Sequence, residues 1–174
     1  MLPGAPPPSP DGRVLYKDLG LRIDKDGIWH YHGSPIQRKE LVCLFASSLV
    51  RDTAGNHWLV TPSEMGPIEV EDAPFIAVEM FVAGGGQSQI LSLRTNVDEI
   101  VTIDEDHPLL VASQPGTGAA APYVALDRGL RARLTRSVYY ELAGLAVATE
   151  IAGRQCFAVW SSRRAFPIGY DEGS

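Results

Sequence analysis

Three carboxylates fall within four residues of this chain, at Glu69, Glu71 and Asp72. The alternating residues around them predict a β-strand, on which Glu69 and Glu71 share one face while Ile68 and Val70 share the other. Two carboxylates on one strand face could act as a general acid and a general base. The sequence contains neither a Gly-x-Ser-x-Gly nucleophile motif nor a phosphate-binding loop beside them. The acids therefore predict a binding or ion-paired surface rather than a reaction.

Arg38 is a second candidate, because the sequence predicts a helix beginning near Pro35 and running to about Val50. On that helix Arg38 lies about 40° from the centre of the apolar stripe, using 100° per residue. A buried arginine needs an anionic partner. One alternative is an internal ion pair with the acidic run. The other is an anion site formed by Arg38 and the N–H groups at the start of the helix.

A third group lies on a predicted long helix from residue 127 to 149. Arg133, Arg136 and Tyr140 lie on the side opposite its apolar stripe, and Glu141 lies near that stripe. Arginines beside a tyrosine suit phosphate contact together with stacking on a flat ring. A solvated helix face has the same composition, so both interpretations stay open.

The remaining candidates for chemistry are histidines and cysteines. His30 and His32 have the spacing of metal ligands on one strand face, but no third ligand follows at a fitting distance. We expect a surface pair and predict no metal and no cofactor. Cys43 and Cys156 lie in apolar segments and are expected to be small buried thiols, with a redox pair as the alternative.

Composition limits the class of protein. The 174 residues are 45% hydrophobic and 21% charged, with a net charge of −6. This length predicts one domain or two small halves. The acidic balance argues against a nucleic-acid partner, and no apolar run reaches the roughly 18 residues of a membrane span. The first residues lack the features of a signal peptide. We expect a cytoplasmic protein with no membrane partner and a disordered, proline-rich segment at 1–18.

The remaining pattern is mainly β. Asp24-Lys25-Asp26-Gly27 predicts a hairpin between residues 21–23 and 28–31. Further strands are predicted at 58–61, 75–83, 88–95, 99–103, 109–112, 123–126 and 156–160. Each predicted helix is followed by a glycine turn, a buried strand and a Pro-Ile pair, at Pro67-Ile68 and Pro167-Ile168. The repeat indicates either an internal duplication or a common order of elements.

Several segments together resemble the bacterial domain of unknown function 1285 family. The landmarks are Gly33-Ser34-Pro35-Ile36, Arg38-Lys39-Glu40-Leu41, Trp58-Leu59-Val60-Thr61-Pro62, Glu69-Val70-Glu71-Asp72-Ala73-Pro74-Phe75, Thr95-Asn96, His107-Pro108, Arg136, Tyr139-Tyr140, Val159-Trp160-Ser161 and Phe166-Pro167-Ile168-Gly169. This chain has Met65 where family members often carry a lysine. The resemblance implies an α+β fold of two similar β-rich halves, each with one main helix. These would be residues 19–72 and 73–171, the second resembling a pleckstrin-homology barrel.

The resemblance also implies a nucleotide-like ligand at the junction of the halves and a role in signalling. We therefore predict a non-catalytic ligand-binding protein of bacterial signal transduction or stress response. The predicted ligand-binding residues are Arg38, Lys39, Thr61, Glu69, Asp72, Thr95, Asn96, Arg136 and Tyr140. One alternative is a hydrolase of a nucleotide or small phosphoester, with Glu69 or Asp72 as base. Another is an adaptor that binds a protein partner.

Overall fold

The structure is a computed structural model that describes residues 13–170. This range is mostly β. The helices are α1 (Lys39–Ala46) and α2 (Arg136–Ala143). Neither helix of the described range is long and apolar enough to cross a membrane. The strands are β1 (Val14–Leu15), β2 (Leu21–Ile23), β3 (Trp29–Tyr31), β4 (Ser34–Pro35), β5 (Leu49–Arg51), β6 (His57–Val60), β7 (Glu64–Val70), β8 (Phe75–Ala83), β9 (Ile90–Thr95), β10 (Ile100–Thr102), β11 (Leu109–Ser113), β12 (Ala120–Ala125), β13 (Arg131–Leu134), β14 (Val147–Ile151), β15 (Arg154–Ser161) and β16 (Arg164–Tyr170).

The chain divides into two compact units. The described part of the first comprises residues 13–74 and Asp127–Leu130, and that of the second comprises Phe75–Leu126 and residues 131–170. The sequence placed the division after residue 72 and assigned Asp127–Leu130 to the second half. The four residues belong to the first unit instead, so the chain enters that unit twice.

The predicted disordered segment at 1–18 falls largely outside the described residues. Its last part is described, and the prediction is wrong for β1. Strand β1 pairs in parallel with β7. The backbone N–H groups of Val14 and Tyr16 donate to the carbonyls of Ser63 and Met65 at 2.9 and 2.8 Å. These backbone hydrogen bonds hold the segment in the sheet.

The first unit is built on a seven-stranded sheet, in the order β4-β3-β2-β7-β6-β5 with β1 beside β7. Its core contains Ile23, Trp29, Leu49 and Met65, each at most 1% exposed. The ring of Trp29 stacks on Phe45 of α1, with centroids 6.1 Å apart. Offset stacking of this kind joins the helix to the sheet.

The second unit contains a six-stranded sheet, in the order β10-β9-β8-β13-β12-β11, and an antiparallel sheet of β14, β15 and β16. Helix α2 packs against β8 and β13 and buries Val138 and Leu142. The two sheets are linked by Ser161, which is fully buried. Its hydroxyl donates to the carbonyl of Ile103 at 2.6 Å and accepts from the N–H of Leu91 at 2.9 Å.

Helix α1 is shorter than predicted at both ends. His32 and Gly33 have positive φ values of 47° and 84° and form a tight turn between β3 and β4. Ser34 and Pro35 therefore pair with β3 instead of starting the helix. The helix begins at Lys39, and the chain returns to a strand at Leu49.

The predicted helix from 127 to 149 is wrong in the same way. Residues 131–134 form β13, with Ala132 and Leu134 buried and the two arginines half-buried. Thr135 then caps α2, because its hydroxyl accepts from the N–H of Val138 at 3.2 Å. Leu134 and Val138 fit a helical spacing, but Arg131 to Leu134 fit an alternating one equally well.

Most other predicted elements are confirmed. The hairpin of β2 and β3 has its turn at residues 24–27, and β8 has the predicted bounds. The repeat is confirmed as an order of elements: α1 is followed by the meander β5-β6-β7, and α2 by the meander β14-β15-β16. The likeness to a pleckstrin-homology barrel stays a prediction.

Candidate functional site

The second unit contains a groove with a volume of about 1230 Å³. Its walls are formed by β11 and the start of β12, by β13 and α2, and by β16 with the first residue of β15. The polar side chains that line it are Gln114, Arg133, Arg136, Tyr139, Tyr140, Arg154 and Tyr170. The rest of its lining is apolar, and none of its described lining residues is acidic. These residues define what is called the groove below.

Arg136 and Tyr140 form the first cation–aromatic pair of the groove. They are the first and fifth residues of α2, so their side chains are neighbours on one helix face. Arg136 Nε donates to the Tyr140 hydroxyl at 2.9 Å, and its guanidinium carbon lies 5.4 Å from the ring centroid. The pair is exposed, and both side chains are accessible to a ligand.

Arg154 and Tyr170 form a second pair on neighbouring strands. Residue Tyr170 of β16 lies opposite Cys156 of β15, two residues beyond Arg154. The guanidinium carbon of Arg154 lies 4.2 Å from the centroid of the Tyr170 ring. At this distance a guanidinium group stacks on the aromatic face and retains N–H donors at its edge.

Arg133 contributes a third guanidinium group from β13. In the sheet it lies opposite Tyr123, and its sequence neighbours Ala132 and Leu134 face the core. The sequence pattern predicted Arg133 on the same helix as Arg136 and Tyr140. The prediction of one shared helix is wrong, although all three residues do line one groove.

The arginines of the two groove pairs differ from other arginines in their partners. Arg94 binds Glu79 and Asp98, Arg22 binds Glu71, and Arg164 binds Glu105. Among the described residues, by contrast, Arg136 and Arg154 have tyrosines as their charge-stabilising neighbours. Three arginines in a lining with no acid among its described residues favour a local positive potential, in a chain whose net charge is −6.

Arg38 does not point into the core. It is exposed, and its extended backbone (φ −81°, ψ 106°) makes it the N-cap residue of α1. The predicted inward position is wrong, because the helical wheel does not apply to a residue outside the helix. Lys39 is the first residue of α1 and is also exposed.

The acidic run lies in the first unit. Ile68 is buried and Glu69 is exposed, which confirms the predicted alternation on β7. Glu71 forms an ion pair with Arg22 and accepts from the backbone N–H of Lys25 at 3.0 Å. Glu71 therefore has a partner other than Arg38. Asp72 is half-buried in the bend after β7.

The remaining predicted residues shape turns. Thr61 accepts from the N–H of Glu64 at 3.0 Å in the turn between β6 and β7. Thr95 is fully buried at the end of β9. Asn96 Oδ1 accepts from the N–H of Ile76 at 3.1 Å. In the second unit, therefore, Arg136 and Tyr140 line the groove, whereas Thr95 and Asn96 do not.

His30 has a carboxylate partner within the first unit. Its Nε2 lies 2.8 Å from Asp24 Oδ2. Burial raises the pKa of Asp24, but hydrogen bonds from His30 and from the N–H groups of Ile28 and Asp26 outweigh this effect and lower it overall. Within residues 13–170 there is no group of three or more histidine, cysteine or acidic side chains that could hold a metal ion.

Comparison with protein families identifies the chain. Residues 12–73 match the N-terminal domain of DUF1285, a domain of unknown function, and residues 74–168 match the DUF1285 C-terminal domain. The chain belongs to the DUF1285 family. Comparison with curated proteins gave no match.

Two solved DUF1285 structures are similar to this DUF1285 protein. A family member from Silicibacter pomeroyi DSS-3 is 40% identical, with a TM-score of 0.83 over 92% of this chain and 85% of that one. Another from Shewanella baltica OS155 is 26% identical, with a TM-score of 0.56 over 72% of this chain and 91% of that one. The two family regions, residues 12–73 and 74–168, support the two-part organisation of this DUF1285 protein.

One of the two arginine–tyrosine pairs in the groove of this DUF1285 protein was not predicted from the sequence. Arg154 follows a glycine turn and Tyr170 lies near the end of the last strand, so neither had a neighbour in sequence that marked it. Their pairing depends on the register of β15 and β16. The signal that could have found them is their aromatic and cationic character at positions that a hairpin brings together.

Proposed function

We propose that this DUF1285 protein is a non-catalytic ligand-binding protein, and that the groove of its second unit binds a small, anionic, nucleotide-like ligand. The observation that carries the proposal is the convergence of Arg133, Arg136 and Arg154, with three tyrosines, on a groove whose described lining has no acid. Binding sites commonly combine an apolar lining with a few convergent polar groups.

The chemistry of the lining matches each part of a nucleotide. Guanidinium groups bind phosphate through paired N–H donors. Planar guanidinium groups and tyrosine rings offer stacking surfaces to a base. Apolar residues such as Leu110, Val111 and Ile168 provide contact for a sugar or ring.

This proposal differs from the family expectation in its location. The resemblance implies a site at the junction of the two halves, whereas the groove is formed by residues of the second unit alone. Of the predicted ligand residues, Arg136 and Tyr140 support the groove. The hydrolase alternative lacks comparable support, because neither candidate base lines the groove: Glu69 is exposed on β7, and Asp72 lies in the bend after that strand.

The cellular setting is part of the same proposal. Neither Cys43 nor Cys156 forms a disulfide bond within the described residues. Cysteines outside disulfides fit the reducing cytoplasm. We propose that the protein acts there as a sensor in bacterial signal transduction or stress response.

A thermal-shift screen tests the proposal. The panel contains purine and pyrimidine nucleoside mono-, di- and triphosphates, with inorganic phosphate, pyrophosphate and the free nucleosides as comparisons. A ligand at 100 times its Kd stabilises the folded protein by about 2.7 kcal/mol, which raises the melting temperature by several degrees. Flat melting curves across the whole panel, with folded protein, would contradict the proposal.

Matched variants then locate the site. Arg136→Gln and Arg154→Gln each remove one guanidinium from the groove. Arg164→Gln makes the same change outside the groove lining, where Arg164 pairs with Glu105 at 3.0 Å on an exposed surface. We expect the Kd of a nucleotide hit to rise about tenfold in one or both groove variants and to stay unchanged in Arg164→Gln. Equal affinities in all three variants would exclude the groove as the site.

A further inference from the structure

The groove contains two arginine–tyrosine pairs of the same kind. Arg136 with Tyr140 is presented by α2, and Arg154 with Tyr170 is presented by β15 and β16. Each pair combines a guanidinium group with an aromatic ring. The two pairs come from separate elements, so they are not consecutive parts of one helix face.

Each arginine–tyrosine pair can recognise one nucleotide. The guanidinium plane and the tyrosine ring provide flat surfaces for a base, and the N–H groups at the guanidinium edge are donors for a phosphate. Among the described residues neither Arg136 nor Arg154 has a carboxylate partner that a phosphate would have to displace. Binding would therefore require little rearrangement of existing ion pairs.

The size of the groove agrees with a ligand that contacts both arginine–tyrosine pairs. Its volume is about 1230 Å³. Pockets for single small molecules usually have volumes of roughly 300–1,000 Å³. Arg133, from β13, adds a third cation to the same groove.

We infer that the ligand of the groove is a dinucleotide, linear or cyclic, with one nucleotide on each arginine–tyrosine pair. This inference rests on the proposed function and specifies its ligand class. Two linked units gain affinity because the second binds at a high effective concentration once the first is bound. The dinucleotide is therefore expected to bind at least about 100-fold more tightly than its mononucleotide.

Isothermal titration calorimetry with the full chain tests the inference. The probes are adenosine and guanosine monophosphates, the corresponding 5′-phosphorylated linear dinucleotides, the cyclic dinucleotides and a tetranucleotide. We expect a stoichiometry of one for a dinucleotide and two for its mononucleotide. The linear and cyclic probes distinguish the two forms of the ligand.

The variants test whether each arginine–tyrosine pair binds one nucleotide. Arg136→Gln and Arg154→Gln should each reduce the affinity for the dinucleotide to within about fivefold of that for the mononucleotide, because one intact pair remains. The Arg164→Gln control should keep the full advantage of the dinucleotide. Circular dichroism spectra of all variants establish that they are folded.

The outcomes separate the two proposals. If a mononucleotide binds with a stoichiometry of one and a dinucleotide binds no more tightly, the dinucleotide inference is wrong and the proposed function stands. If the tetranucleotide binds tenfold more tightly than the dinucleotide, the groove binds single-stranded nucleic acid and the inference is again wrong. If no nucleotide of either kind binds to the folded protein, both proposals fail.

Discussion

The indole Nε1–H of Trp58 donates a 2.9 Å hydrogen bond to Asp52 Oδ2. The other carboxylate oxygen of Asp52 accepts from the backbone N–H of Asn56 at 2.9 Å. These hydrogen bonds, led by that from Trp58, lower the pKa of Asp52. Asp52 thus closes the turn between β5 and β6 and fixes the orientation of a tryptophan that is 5% exposed.

The first prediction concerns this carboxylate. Asp52→Ala leaves the N–H groups of Trp58 and Asn56 without their acceptor, and we expect the free energy of unfolding to fall. Asp52→Asn keeps one carbonyl oxygen and should lose less. Urea denaturation followed by circular dichroism measures both variants. Equal stability of Asp52→Ala and the parent protein would contradict the assigned role.

His57 leads to a prediction about pH. It lies on β6 between Arg51 and Ile68, and its Nε2 is buried without a hydrogen-bond partner among the described residues. Burial and the charge of Arg51 lower the pKa of His57 to about 4, against a smaller opposing effect of Asp52. The folded protein therefore holds this imidazole neutral at pH values where the unfolded chain protonates it.

The sign of the effect follows from this difference. Unfolding takes up a proton between pH 6.5, the ordinary value, and about 4. Stability should be independent of His57 above pH 6.5 and should fall towards pH 4 by at most about 3 kcal/mol in total. The urea midpoint should depend less steeply on pH in His57→Gln than in the parent protein across this range. His32→Gln, at an exposed turn, is the control, and a slope that survives in His57→Gln would refute the prediction.

Ser161 supports a prediction for the core of the second unit. Ser161→Ala leaves the N–H of Leu91 and the carbonyl of Ile103 short of a partner in a fully buried position. We expect a loss of about 1–3 kcal/mol in the free energy of unfolding. Ser162→Ala is matched, because the Ser162 hydroxyl donates to the same carbonyl at 3.0 Å from a half-buried position. Ser162→Ala should cost less, and the reverse order would contradict the role of Ser161.

Two glycines separate backbone strain from steric conflict. Gly129 has φ +74°, and a β-carbon there would lie 2.8 Å from the backbone oxygen of Arg51. Gly153 has φ +78° with nothing within 4 Å of such a β-carbon. We expect Gly153→Ala to cost about 1 kcal/mol from φ alone and Gly129→Ala to cost clearly more. Thermal unfolding measures the difference, and equal costs would show that the Arg51 contact is easily relieved.

The sequence predicted those elements that local chemistry decides. Asp24 to Gly27 encode the first hairpin because a turn of this composition is specified by its own residues. Arg131 to Leu134 satisfy two periodicities, and the segment is a strand that pairs with β12 and β8, between the positive φ of Gly129 and the helix cap at Thr135. Arg154 and Tyr170 meet through strand register, which no local pattern records. The candidate site was therefore predicted on its helix and missed on its strands.

The guanidinium of Arg128 donates to the carbonyl oxygens of Ser47 and Ala46 at 2.6 and 3.4 Å, at the C-terminal end of α1. Arg128 belongs to the first unit, but it lies within residues 74–168, the region of the DUF1285 C-terminal domain. Cutting the gene at the boundary between the two family regions would separate the helix from its cap. The two regions are thus not interchangeable modules: recombination that replaced one of them would have to bring a compatible residue 128 with it.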